Sequence, residues 1–305
     1  GDCAESAPAR AGKPVNNHPR PVAARIASLQ GQLHAAEATG DRRALAVGSP
    51  VYPDDILEKD RTGAATLVFS DSTRMVLDAG GQFHLAHYRY AESQPALDNF
   101  GIRLLKGGFR LLTGLIGKRQ AQRVGITAGT ATIGIRGTNF DVVCVGGGDA
   151  PADAAASVGV VCDQALYAHT REGAISLQSG DGAPLVLAAG QTGHVTRPGA
   201  QPVLTREAPS FLQDKAWPQP EATPFDPEQF GTDGANANEP GLYVLVREGR
   251  IAMAQDNRQL VLDAGEAAYA SSSGKILQRF SNPPASLEKD RFMSDRLFGF
   301  GTCRR

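Results

Sequence analysis

From Arg25 onward, short apolar runs alternate with polar positions and are interrupted every few residues by turn formers. Gly63-Ala64-Ala65-Thr66-Leu67-Val68-Phe69 leads into Ser70-Asp71-Ser72 and then Thr73-Arg74-Met75-Val76-Leu77. Two β-prone runs around a short polar turn predict a hairpin. Residues 82–88 continue the alternation, as do residues 102–105 and 109–112 on either side of Lys106-Gly107-Gly108. No segment sustains a long 3.6-residue period, which predicts an all-β fold of stacked short antiparallel hairpins, either β-solenoid-like or sandwich. Residues 1–22 lack any hydrophobic period and read as an arm or linker.

The C-terminal half repeats itself. Leu166-Tyr167-Ala168-His169-Thr170-Arg171-Glu172-Gly173 matches Leu242-Tyr243-Val244-Leu245-Val246-Arg247-Glu248-Gly249 at an offset of 76. Val186-Leu187-Ala188-Ala189-Gly190-Gln191 matches Val261-Leu262-Asp263-Ala264-Gly265-Glu266 at an offset of 75, and Trp217 matches Phe292 at the same offset. Each copy reads as two strand pairs, turned at Glu-Gly and Ala-Gly and ending in a short helix. Gly31 and Gly48 are spaced like Gly173 and Gly190 and suggest a looser third version. The expected organisation is an arm over 1–22, a first β domain over 23–145, a hairpin loop over 146–159 and copy 1 over 160–217. A linker over 218–240, copy 2 over 241–298 and a tail over 299–305 complete it.

Composition sharpens this picture in three places. Glycine (35) and proline (19) make up about 18% of the residues, against about 12% in typical proteins, so turns should be frequent. The charge balance of 31 basic to 32 acidic residues gives no reason to expect nucleic acid as a partner. No apolar run approaches the roughly 20 residues of a membrane-spanning helix, and the first ten residues lack a signal-peptide pattern.

Four cysteines carry a compartment signal. Cys144 and Cys162 lie in apolar runs on either side of a Gly/Ala-rich stretch, and Cys3 and Cys303 lie near the two ends. The expectation is two disulfides, 144–162 and 3–303, formed in an oxidising compartment; four free thiols are the alternative.

Residues 124–145 read Val-Gly-Ile-Thr-Ala-Gly-Thr-Ala-Thr-Ile-Gly-Ile-Arg-Gly-Thr-Asn-Phe-Asp-Val-Val-Cys-Val. This resembles the signature of FecR-type domains, with Ile135, Arg136, Gly137, Thr138 and Phe140 at its centre. Residues 51–57 resemble the family's Gly-Asp-x-Ile segment, residues 65–77 its Ala-x-Leu-x-Phe-x-Asp-Gly-Ser hairpin, and residues 105–110 its Leu-x-x-Gly-x-x-Arg segment. The resemblance covers roughly residues 23–145. Ala128-Gly129 stands where the family commonly has a proline, so that turn is expected to differ.

The best-known members are inner-membrane regulators with a cytoplasmic anti-sigma segment and one membrane span. Neither is read in this sequence, so the resemblance implies a stand-alone, exported sensing, docking or scaffold module. It would lie in the periplasm or at the cell surface of a Gram-negative bacterium and have an envelope protein as partner.

Arg136 sits between apolar runs, where its donors need acceptors. It is expected to be a structural clamp tying neighbouring carbonyls, with Gly137 opening the turn and Thr138 capping it; an anion site is the competing role.

Chemistry is otherwise sparse. No Gly-x-Ser-x-Gly elbow, phosphate loop or His-Glu-x-x-His segment occurs. His84 and His87 are three apart, a poor arrangement for a shared metal on a strand. Leu245 occupies the position of His169 in the other copy, so packing suffices there. Asp54, Asp55 and Asp71 sit in turns, where aspartates bond local backbone. Residues 118–123 read as a solvated basic turn.

The expectation is therefore a protein that is not an enzyme and has neither cofactor nor metal. A glycan- or peptidoglycan-binding protein using Tyr88, Tyr90 and Phe100 as a ligand surface is the alternative. A hydrolase with acids from separate loops is a third class.

Overall fold

A computed structural model describes residues 21–37, 40, 42–129, 131–145, 162, 165–213, 217–233, 240–282, 284 and 287. Pro21–Phe230 form one compact unit, and the described residues from Gly231 onward belong to a second.

The first unit is built from β1 (Ala24–Leu29), β2 (Leu33–Ala36), β3 (Arg42–Leu45), β4 (Pro50–Val51), β5 (Ile56–Lys59), β6 (Ala65–Phe69), β7 (Arg74–Leu77) and β8 (Gln82–Arg89). They are followed by β9 (Asn99–Lys106), β10 (Gly108–Leu112), β11 (Val124–Ala128), β12 (Ala131–Val145), β13 (Ala165–Ser179), β14 (Leu185–Ala188), β15 (Thr192–Val195) and β16 (Val203–Thr205). Two short helices, α1 (Leu115–Arg119) and α2 (Ser210–Gln213), interrupt the strands.

All sixteen strands share one sheet. Its main path runs β3-β2-β5-β8-β9-β11-β12-β10-β7-β6-β1-β4, and β13 branches from β12 to carry β14, β15 and β16. The four N-terminal strands supply both ends of that path, which curls the sheet into a nearly closed barrel. The expected hairpin at residues 65–77 forms, with Ala65 opposite Leu77 and Ser72 in the left-handed region at φ 66°. The runs on either side of Gly107 do not pair with each other. β9 pairs with β8 and β11, and β10 with β7 and β12, so the chain changes neighbours at Gly107. A side chain at Gly107 would meet the Gly81 Cα at 2.8 Å, and its φ of +71° favours glycine as well.

Alternation places one face of most strands inside. Ile26, Leu57, Leu67, Phe69, Met75, Phe83, Leu104, Phe109, Ile126, Ile133, Phe140, Val142 and Ile175 form a single core. Cys144 and Cys162 are joined by a disulfide, with Cα atoms 5.3 Å apart. In the chain-entropy model this closure contributes roughly 3 kcal/mol. Cys3 and Cys303 lie outside the described residues.

The second unit has β17 (Thr232–Asp233), β18 (Gly241–Leu245), β19 (Arg250–Gln255), β20 (Arg258–Asp263), β21 (Ala267–Ser271) and β22 (Leu277–Asn282). They form a sheet ordered β17-β22-β21-β18 and a separate β19–β20 hairpin. Met253, Leu262, Ala268 and Leu277 make one small core, and Ala267, Tyr269 and Phe280 another.

The cross-strand pairings of the two C-terminal segments coincide at the offsets of 76 and 75. Leu166 faces Val195 as Leu242 faces Ala270, Tyr167 faces His194 as Tyr243 faces Tyr269, and Ile175 faces Leu187 as Ile251 faces Leu262. The turn bonds coincide too: Gly190 N donates to Thr170 O, and Gly265 N to Val246 O. At the N-terminus Gly48 N donates to Ile26 O, and Leu33 faces Leu45 in the same pattern. Helix α2 follows β16 as expected; its counterpart after β22 falls almost wholly outside the described residues.

Candidate functional site

The outward face of β10, β12, β13 and β15 carries a row of polar residues across the strands. Arg110 lies opposite Asp141, Asp141 opposite His169, and His169 opposite Thr192. Arg110 and Asp141 are 2% and 1% exposed. Arg110 donates to Asp141 through Nε at 2.7 Å and Nη2 at 3.3 Å, and Arg171 Nε donates to the same carboxylate at 2.8 Å.

Burial of this pair comes from a strap. Residues after β16 cross the same face, with Leu212 and Trp217 packed on Val76 and Val143. The Arg110 guanidinium lies 5.2 Å from the centre of the Trp217 ring. Farther along, Glu221 accepts from the Asn139 amide, Thr223 O accepts from Arg74, and Gln229 O accepts from the buried Arg25. A face that reads as solvated in the sequence is thus covered by Leu212, Trp217 and residues 221–229.

His169 and His194 flank the row. His169 Nδ1 shares a 2.8 Å hydrogen bond with Thr192 Oγ1, and His194 Nδ1 one with Thr205 Oγ1. The His194 ring stacks on Tyr167. Burial lowers the His169 pKa, with Arg171 and Arg110 lowering it further and Asp141 opposing them. The imidazole is therefore held neutral over a wider pH range than in water.

The signature residues occupy β12. Ile135, Thr138 and Phe140 point into protein, whereas Arg136 is exposed. Among the described residues no hydrogen bond or ion pair involves the Arg136 guanidinium, so the clamp expected of it is not there. The clamp is instead Arg110, on the neighbouring strand. Parity explains the difference: a bulge between Arg136 and Asn139 shifts the register, and Gly137 adopts φ +55°. Thr138 N donates to Thr113 Oγ1 at 2.8 Å and Thr113 N to Thr138 O at 2.9 Å, which ties the bulge to the end of β10.

The aromatics expected to form a ligand surface are largely core. Tyr88 and Phe100 are buried, and with Phe69 their rings meet at 4.9 to 5.5 Å. The Tyr88 hydroxyl accepts from Asp71 N at 2.9 Å and donates to the Asp71 carboxylate at 3.2 Å. Tyr90 is half-buried beneath Arg119, whose guanidinium lies 4.9 Å from the ring centre. No sugar-stacking platform remains there. Tyr88 and Phe100 come together because they face each other across β8 and β9 and both turn inward.

Of the three turn acids, Asp55 and Asp71 bind backbone as expected, whereas Asp54 bonds the His84 side chain. Asp71 accepts from Thr73 N, Thr73 Oγ1 and Ile116 N, anchoring α1 to the β6–β7 turn. Burial pushes its carboxyl above the ordinary aspartate range, with those donors opposing the shift. Asp55 accepts from Tyr52 N and pairs with Arg43. In the basic segment, Arg119 donates twice to Asp98. His84 bonds Asp54, while the His87 ring covers Gly101. Among the described residues no three His, Cys, Asp or Glu side chains converge as a metal site, and no helix is long and apolar enough to cross a membrane. A shallow cleft of about 230 Å³ opens between Arg103, Leu104, Leu105, Thr127 and Gly129.

The family model described as FecR protein matches residues 55–162. This stretch is a FecR-type domain. In the FecR-type domain the match runs from β5 to the second cysteine of the disulfide, so Cys144–Cys162 closes its C-terminal end. β13, strand for strand the partner of β12, comes after it.

Two solved structures of a candidate anti-sigma factor from Parabacteroides distasonis ATCC 8503 are similar at 12% and 11% identity. Each match covers 52% of this chain and 62% of the other, with TM-scores of 0.37 and 0.36. The chain thus spans under two thirds of their length. No curated protein matches the sequence.

Proposed function

We propose that this chain is an exported, non-catalytic module that serves as a sensor, docking or scaffold component of a bacterial envelope signalling or surface system. The observation carrying this reading is the FecR-type domain at residues 55–162, sealed at its end by a disulfide. A family of regulators supports a signalling role, and a buried disulfide is at home in an oxidising compartment. The polar residues described above also favour it. They are fixed in static pairs: Arg110 and Arg171 on Asp141, Arg119 on Asp98, Arg43 on Asp55.

The organisation belongs to the same proposal: a FecR-like domain over 23–145, followed by two related β units over 160–217 and 241–298. Such units supply surface rather than reactive groups, and an envelope protein is the partner they would present it to.

Affinity capture from periplasmic extract with the full chain as bait, followed by reconstitution with the purified candidate, tests this reading. A reproducible envelope partner that binds the purified chain is expected. Failure to recover any such partner would count against docking. Alkylation and mass spectrometry of native protein should find Cys144 and Cys162 oxidised; free thiols at both would overturn the export reading.

A further inference from the structure

We propose that β16 is a pairing edge at which two copies of this chain join, β16 against β16 in antiparallel register. The proposal is independent of the signalling reading and rests on an edge of the first unit that pairs on one side only among the described residues.

β16 pairs with β15 on one side, through Thr192 opposite Thr205, Gly193 opposite Leu204 and His194 opposite Val203. On its other side no strand pairs with it among the described residues. The related strand β22 shows that this edge geometry accepts a neighbour. There β17 adds in parallel, with Thr232 opposite Phe280 and Asp233 opposite Asn282. Positions 280 and 282 correspond to Thr205 and Glu207 at the offset of 75.

The chemistry of the two edges differs in the sense the proposal requires. β22 carries Gln278 and Arg279 where β16 carries Val203 and Leu204. Val203 is 52% and Leu204 47% exposed, and β14, which lies close to β16, adds Val186 at 63%. Edge strands that avoid association are very short or carry proline or charges. β16 is short and flanked by Pro202 and Arg206, but Val203-Leu204-Thr205 itself bears no charge and is rich in strand formers.

A second copy fits this edge by symmetry. A two-fold axis at Leu204 sets Leu204 against Leu204 of the partner subunit, and Val203 against Thr205 of the partner subunit. Arg206 then meets Pro202 of the partner subunit and Glu207 meets Gln201 of the partner subunit, so no like charges are opposed. A formal net charge of −1 adds little long-range repulsion between copies. Pro202 removes one backbone donor and limits the pairing to a few residues. An interface this short falls below the standard size for stable complexes, so the dissociation constant should be on the order of 10–100 µM.

Sedimentation velocity of the full chain from about 1 to 500 µM tests the idea. The expected result is a weight-average mass rising from monomer towards dimer. Leu204→Lys and, separately, Val203→Lys should hold the chain at monomer mass throughout while leaving the melting temperature unchanged. Leu204→Cys should give a disulfide-linked dimer on mild oxidation, because the two-fold axis places this residue against itself. Val47→Cys, on an exposed site elsewhere, should not. Monomer mass at every concentration would overturn the proposal, as would a dimer that survives both lysine substitutions.

Discussion

Residues 165–205 and 241–282 share several cross-strand pairings at offsets of 76 and 75, yet their long strand behaves differently. In the first segment β13 is continuous over fifteen residues and pairs along its length with β12. In the second, the corresponding stretch is divided into β18 and β19, which belong to separate sheets. Local sequence does not account for this, since both stretches carry Arg-Glu-Gly at the break.

The glycines show what does. A Cβ on Gly173 would lie 2.7 Å from Gly137 O and 3.0 Å from the Thr138 methyl, so the turn is pressed against the bulge of β12. A Cβ on Gly249 would meet nothing within 4 Å. A templating strand therefore keeps a kinked sequence in one ladder; without it the same kink divides the stretch between a four-stranded sheet and a hairpin.

The first segment is also charge-anchored and strapped, which yields the largest predicted effects. Asp141→Asn leaves Arg110 buried without a counter-charge and should lower stability by about 3–5 kcal/mol in denaturant melts. A loss under 1 kcal/mol would mean that the row contributes little. Trp217→Ala should cost about 3–5 kcal/mol by removing the ring that seals Arg110. It should also speed hydrogen exchange in residues 217–230; unchanged exchange would break the strap account.

Gly173→Ala and Gly249→Ala share the strain of a positive φ, at about 1–2 kcal/mol each. Their difference isolates contact with β12, and Gly173→Ala should be worse by about 1–3 kcal/mol. Equal losses would refute the templating argument.

His169→Leu installs the residue of the second segment, Leu245. Because burial lowers the His169 pKa, the folded state resists a proton that the unfolded chain accepts below about pH 6.5. Wild-type stability is therefore lost as pH falls through that value, and the variant should gain on wild type between pH 7.5 and 5.5. A pH-independent difference would count against it. Smallest of all, Arg136→Lys should change stability by no more than about 0.5 kcal/mol, since its side chain is in solvent. A larger loss would restore the clamp to Arg136.

Much of this architecture was legible in the residues. The β6–β7 hairpin, the disulfide between Cys144 and Cys162 and the matched turns at Gly173 and Gly249 follow from alternation, spacing and internal similarity. Resemblance pointed to the FecR family through residues such as Ile135, Thr138 and Phe140, all buried in the core, although the segment expected over 23–145 and the family match over 55–162 coincide only in part. The charged row was not legible. Arg110 reads as the solvent-facing residue of Phe109-Arg110-Leu111, and what covers it is the distant Trp217. Arg136 was misplaced because strand parity fails across a bulge, and Tyr88 and Phe100 because adjacency in sequence says nothing about which way a face turns.

The bond between Cys144 and Cys162 fastens both ends of the intervening stretch at one point, 5.3 Å apart. Any extra length or foreign insert between them only lengthens a closed covalent loop, without separating Cys144 from Cys162. A chain cut there remains a single covalent object under oxidising conditions, and comes apart only when reductant is added.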